Sequence, residues 1–154
     1  MHGTYLIEVA YKEGITDPLA RSVQHDVSHW GLRGLKKVAT GQLYRLVGDL
    51  SSVERGRIAK DLLCDPVIQE FHDGGRDTAP KSVTVDVWYK SGVTDVVADS
   101  VMRGLHDLGI TGITQVRTGQ RFRFMGITDA KKAEQAATAL LMNPLVQDRT
   151  VHAG

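Results

Sequence analysis

The first residues in this chain that could do chemistry are His25 and His29, one helical turn apart with Asp26 beside them. Imidazoles at i and i+4 share a helix face and can hold a metal ion. A second copy of the same region carries Arg103, Gly104 and Asp107 at the matching places, so the pair reads as exposed helix side chains and no metal is expected. Cys64 is a potential nucleophile, but Met142 replaces it in the other copy, and no adjacent basic partner stands ready to activate a thiolate. It reads as a core cysteine. Gly31-Leu32-Arg33-Gly34 has the G-x-x-G form of an RNA-clamping loop, yet a strand follows where a helix would be needed, so it reads as a helix-to-strand turn. Arg121 and Arg123 flank Phe122, but alternation along a strand sends arginines and aromatics to opposite faces, which does not suit base stacking. No phosphate loop, HExxH or Cys-x-x-Cys occurs. No catalytic, cofactor-binding or metal residue is therefore assigned. What recurs in both copies is polar and turn-like: Asp17, Gly41, Gln42 and Arg45, matched by Asp95, Gly119, Gln120 and Arg123. These eight are the candidate subunit interface, weighed against plain roles as caps, turn residues and solvated strand positions.

The elements that must position them follow from a duplication. Tyr11–Val23 (YKEGITDPLARSV) falls on Tyr89–Val101 (YKSGVTDVVADSV), and the register holds without a gap through Gly34 on Gly112, Gly48 on Gly126 and Pro66 on Pro144. Each copy opens with an alternating strand: Tyr5, Ile7, Val9 and Tyr11 on one face, or Val83, Val85, Val87 and Tyr89, with a mixed opposite face. A helix follows, capped by Thr16 or Asp17 with Pro18 in its first turn. Ala20, Val23, Val27 and Trp30 recur at helical spacing, as do Ala98, Val101, Leu105 and Leu108; Gly31 and Gly109 end the helices. Two strands are expected next, Leu35–Thr40 and Gln42–Gly48, with Gly41 at a tight turn or bulge between them, and likewise around Gly119. A second helix over about 52–64 and 129–142 carries Ile58, Leu62 and Leu63, or Ala136, Leu140 and Leu141, to the core; Pro66 and Pro144 stop it, and a short strand closes each copy. The order βαββαβ predicts an α+β fold: two tandem ferredoxin-like modules packed as a pseudo-dimer, at 1–72 and 82–154, joined by a non-regular linker at 73–81. Helices would cover one sheet face and leave the other available.

The chain has 154 residues, and 19 basic against 18 acidic side chains argue against sequence-independent nucleic-acid binding. A single cysteine permits no internal disulfide and points to a reducing compartment. No apolar run reaches the roughly 20 residues of a membrane span, and no secretion signal is read at the start, so a cytoplasmic protein is expected.

The joint order of landmarks resembles PurS, the small accessory subunit of phosphoribosylformylglycinamidine synthase. That family carries a DP-x-G helix start, a V-x-x-GK turn and an LL-x-NPVIE-like ending. Here these read Asp17-Pro18-Leu19-Ala20, Val38-Ala39-Thr40-Gly41-Gln42 and Leu62-Leu63-Cys64-Asp65-Pro66-Val67-Ile68-Gln69-Glu70, and the second copy ends Leu140-Leu141-Met142-Asn143-Pro144-Leu145-Val146-Gln147-Asp148. Gln42 and Gln120 stand where the family has lysine, Ala20 replaces its glycine, and Val96 its proline. The resemblance implies a non-catalytic bridge between a glutaminase subunit and an ATP-dependent synthetase subunit. The complex would consume glutamine and ATP, and the bridge would help ammonia stay out of solvent, with further self-association open as well. Two other classes compete on fold alone: a tandem ACT-like module binding small metabolites, and a stand-alone enzyme.

Overall fold

The computed structural model describes residues 2–154. In chain order the elements are β1 (Gly3–Tyr11), α1 (Pro18–Trp30), β2 (Lys37–Gly48), α2 (Ser52–Ile58), β3 (Gln69–Asp73), β4 (Ser82–Tyr89), α3 (Val96–Asp107), β5 (Ile113–Met125), α4 (Ala130–Leu140) and β6 (Gln147–Ala153). A π-helical turn, Ala59–Leu63, continues α2. The strands are hydrogen-bonded in the order β3-β1-β2-β5-β4-β6. The fold is α+β, and the two PurS-like modules expected from the repeat are present.

One expectation changes. Gly41 and Gly119 do not make turns: β2 and β5 run straight through them as strands of 12 and 13 residues. Neither glycine is among the residues with positive φ. A glycine between two strand-like runs is compatible with a hairpin, but extended backbone is equally open to it.

The straight strands explain a second finding. The chain forms two compact units that interleave the repeats. The first holds residues up to Ile15, Gln42–Arg76 and Gly92–Gly119; the second holds Thr16–Gly41, Asp77–Ser91 and Gln120–Gly154. Each repeat thus gives its first helix, and the strand half leading to Gly41 or Gly119, to the unit that holds the other repeat's outer strands. The spans 1–72 and 82–154 describe the sequence; the compact bodies are a different partition.

In the first unit β1, β3, the second half of β2 and the first half of β5 carry α2 and α3. Its core joins Ile7, Val9, Tyr44, Leu46, Ile58 and Leu63 of the first repeat to Ala98, Val101, Leu105 and Val116 of the second. In the second unit β4, β6, the first half of β2 and the second half of β5 carry α1 and α4. There Ala20, Val23 and Val27 of α1 pack with Val83, Val85, Val87, Phe122, Phe124, Ala133 and Ala137. Each unit therefore has four strands and two helices, the ferredoxin-like content, assembled from both repeats. Two expected core residues lie outside: Trp30 is 37% and Leu140 43% exposed. The Lys132 ammonium sits 6.0 Å from the Trp30 ring centroid.

The sheet face opposite the helices is not open. Glu8, Ala10 and Leu43 are buried there, and in the second unit so are Thr84, Asp86, Trp88, Arg121 and Arg123. Several charges on this face have partners inside their own unit, and pairing is what makes the burial of charge tolerable. Glu8 accepts from the Arg76 backbone N–H at 3.0 Å and pairs with its guanidinium at 3.5 Å. Asp86 takes two hydrogen bonds from Arg121, at 2.7 and 2.8 Å. Arg123 donates to the Asp77 carbonyl at 3.2 Å. The linker, expected as solvated chain, thus supplies partners to buried charge.

Two repeated glycines are explained by close backbone approach. Gly48 has φ +154°, and a Cβ there would overlap the Gly112 carbonyl; Gly126 has φ +94°, and its Cβ would lie 2.7 Å from the Gly34 carbonyl oxygen. Each contact draws one glycine from each repeat. Replacing Gly48 or Gly126 by alanine is expected to cost at least about 2 kcal/mol, from strain and displaced backbone. Gly56→Ala, in a helix with open space around it, should instead raise stability by about 0.5–1 kcal/mol. Melting curves of the three variants check the contrast.

Candidate functional site

Asp17 and Asp95, two of the expected interface residues, are built into the fold in the same way. Asp17 caps α1 by accepting from the Ala20 N–H at 3.0 Å, and its other oxygen accepts from the Thr40 N–H and hydroxyl at 3.1 and 2.7 Å. Asp95 caps α3 through the Ala98 N–H at 2.9 Å and takes the Thr118 N–H at 2.8 Å and the Thr118 hydroxyl at 2.8 Å. Each carboxylate ties a helix start to the strand beside the mid-strand glycine. These are charge-assisted bonds, stronger than neutral ones. The recurrence of Asp and Thr in both copies follows from this tie.

The other candidates lie along the same two strands. Gly41, Gly119 and Arg123 are buried, while Asp17, Gln42, Arg45, Asp95 and Gln120 are half-buried. Gln120 Nε2 donates to the Gly41 carbonyl at 3.0 Å. None of the eight is fully exposed, and of them Asp17 and Asp95 hold strand and helix together.

The remaining chemical candidates fall as follows. His25 and His29 stand on the exposed side of α1 with ring centroids 4.4 Å apart. No cluster of three or more metal-ligating side chains occurs among the described residues. Cys64 packs partly against the first unit's core. Burial, then the neighbouring Asp65 carboxylate, pushes its thiol above the ordinary range, against the thiolate that a nucleophile needs. Burial likewise raises the Tyr44 hydroxyl. Phe122 and Phe124 are core residues, while Arg121 lies on the other face with Asp86, as strand alternation requires. No helix among the described residues is long and apolar enough to cross a membrane.

Sequence reasoning did not single out two features. A pocket of about 430 Å³ lies between the end of α1 and the start of α4, lined by Arg33, Ile127, Asp129 and Lys132 among others. Two matching turns present large apolar tips: Val67 is 77% and Leu145 83% exposed. Each turn is braced by its own side chains, Val67 N–H to Asp65 and Leu145 N–H to Asn143, both at 3.0 Å. The D-P-V and N-P-L runs were the available signal; what they hold outward became visible only with the turn folded.

The carboxylate tie can be measured. Asp17→Ala and Asp95→Ala should each lower stability by about 2 kcal/mol, since each removes a cap and a second set of charge-assisted bonds. In a double-mutant cycle Asp17→Ala with Thr40→Val should be strongly non-additive, because the pair shares the broken bonds. Additive losses in chemical denaturation would contradict the tie.

No curated protein matches the chain closely enough to count as similar. The family model PurS, described as phosphoribosylformylglycinamidine (FGAM) synthase, matches it twice, over residues 4–73 and 82–153. The two matches coincide with the two halves of the internal repeat and leave only the linker and the extreme ends unmatched. The chain therefore belongs to the PurS family of phosphoribosylformylglycinamidine synthase, as two family units in tandem.

Proposed function

We propose that this protein is the small, non-catalytic subunit that bridges the glutaminase and the ATP-dependent synthetase subunits of phosphoribosylformylglycinamidine synthase and assists the passage of ammonia between them. The observation that carries the proposal is the double family match, which spans nearly all of the chain. In this reading glutamine and ATP are consumed by the complex, no cofactor is bound by this chain, and the setting is the cytoplasm. The physical need is plain: ammonia released into water is protonated and diluted, so excluding solvent along its route preserves a usable nucleophile. A raised Cys64 thiol supports a non-nucleophilic role for the one cysteine. Fusion of two modules in one chain fixes their ratio at one to one and removes the entropy cost of bringing them together.

Within this proposal Gln42 and Gln120 remain the positions for the subunit contact, as half-buried amides able to donate and accept. The flanking Gly41 and Gly119 are buried in mid-strand, so bulky replacements there would test folding rather than contact. The proposal is tested by reconstituting the complex and measuring amidine formation with glutamine and, separately, with added ammonia. Gln42→Ala/Gln120→Ala is expected to depress glutamine-dependent activity about tenfold while leaving ammonia-dependent activity within about twofold, corresponding to roughly 1.4 kcal/mol of lost contact. Full glutamine-dependent activity in the complete absence of this chain would overturn the bridging role itself.

A further inference from the structure

The pocket of about 430 Å³ in the second unit is lined by two stretches of chain: residues 31–33, which leave α1, and residues 126–132, which lead into α4. The stretches are fastened to each other beside the pocket. Lys36 N–H bonds the Met125 carbonyl at 2.8 Å, and Gly126 lies so close to the Gly34 carbonyl that a side chain would not fit there. Leu32 and Ile127, 6% and 5% exposed, give the lining a buried apolar part. The cavity is therefore preformed by backbone contact and core packing.

The polar side chains of the lining are Arg33, Thr128, Asp129 and Lys132. Asp129 is engaged as the cap of α4, where it accepts from the Lys132 backbone N–H at 3.0 Å. Among the described residues the Arg33 guanidinium and the Lys132 ammonium have no hydrogen-bond or ion-pair partner, and the ammonium stands 6.0 Å from the Trp30 ring centroid. Two cations thus line the pocket against one carboxylate. The repeat supplies the comparison. At the matching places the first unit has Thr111 for Arg33, Asp49 for Ile127 and Glu54 for Lys132. Glu54 turns back to accept from the Ser51 N–H at 3.1 Å, closing a capping box. A lysine cannot make that bond, so at this corner the second unit exchanges a structural acid for an unpaired cation.

We propose that this pocket binds a small phosphate monoester, with its phosphate between Arg33 and Lys132. A guanidinium presents a planar fork that matches two phosphate oxygens, and an ammonium adds a point charge. The Thr128 hydroxyl is a further donor in the same lining. A phosphate monoester carries a charge of about −1.5 to −2 at neutral pH and three acceptor oxygens, enough for all three groups at once. A carboxylate has one charge and two oxygens and would leave one cation unanswered. The organic part of the ester would lie on Leu32 and Ile127. At about 430 Å³ the cavity stands near the lower end of the roughly 300–1,000 Å³ of ligand pockets, which suits a sugar phosphate better than a dinucleotide. The site is complete within this chain and needs no partner subunit.

Isothermal titration calorimetry of the intact chain with ribose 5-phosphate, inorganic phosphate and ribose tests this. The ester is expected to bind saturably with a Kd of roughly 0.1–1 mM, phosphate more weakly, and ribose not at all. Arg33→Thr and Lys132→Glu copy the residues of the first unit, and each should weaken binding of the ester at least about tenfold. Both positions are exposed, and glutamate suits the third residue of a capped helix, so the melting curves of the free variants should match wild type. No saturable binding of the ester up to roughly 10 mM would overturn the proposal. So would binding undiminished in both variants, or ribose bound as tightly as its phosphate. Capture of the protein by phosphatidylcholine vesicles containing phosphatidic acid, with no binding of the soluble ester, would assign the two cations to a lipid surface and overturn it as well.

Discussion

Burial of the Ala20–Val23–Val27 stripe against Val83, Val85, Val87, Phe122 and Phe124 is the interaction on which the rest depends. A segment of about 70 residues buries too small a share of its surface to be comfortably stable alone. Each fully buried valine, leucine or phenylalanine contributes about 1.5–3 kcal/mol, and in this chain those contributions accrue across the repeat rather than within it. Ala98, Val101 and Leu105 of α3 do the same for the first unit. Stability of either unit therefore requires residues from both halves of the sequence, and fusion of the halves secures their joint supply.

Interleaving also accounts for the polar features. If a helix and half a strand pass from one unit to the other, the strand must cross without turning, and Gly41 and Gly119 lie at that crossing. The Asp17–Thr40 and Asp95–Thr118 ties sit immediately before it, where each donated helix meets its donated strand half. Helix start and strand half are thus tied to each other within the unit that contains them. Gly48 with Gly112, and Gly126 with Gly34, let backbones from different repeats come within contact distance. Glu8 and Asp86, matched in the repeat, each have a guanidinium within their own unit: Arg76 from the linker beside Glu8 and Arg121 from β5 beside Asp86.

Local pattern in the amino-acid sequence accounts for much of this. The caps at Asp17 and Asp95, the helix ends at Gly31 and Gly109, and the inward faces of β1, β4 and the two first helices stand where periodicity and turn chemistry put them. What local pattern cannot state is the owner of a neighbour. Val23 and Val27 declare an apolar face but not whose strands cover it. Gly48 declares freedom of φ but not the carbonyl of Gly112. Gly41 permits a turn and an extended strand alike, and the burial available to α1 decides between them. The polar face of β1 and β4 reads as solvent-facing because Glu8 and Asp86 are charged; long-range partners hide them. Asp17 and Asp95 resemble contact residues for another subunit because they recur, and the recurrence has a structural cause.

The central claim is that neither repeat is a folded body without the other. Introducing a protease site into the linker between Arg76 and Lys81 of the full-length protein, cutting it there and diluting the product measures this directly. The account predicts that the two fragments elute together with native circular dichroism, and that they separate only as they unfold, in one cooperative transition. A fragment that leaves its partner and persists as a folded monomer would contradict it.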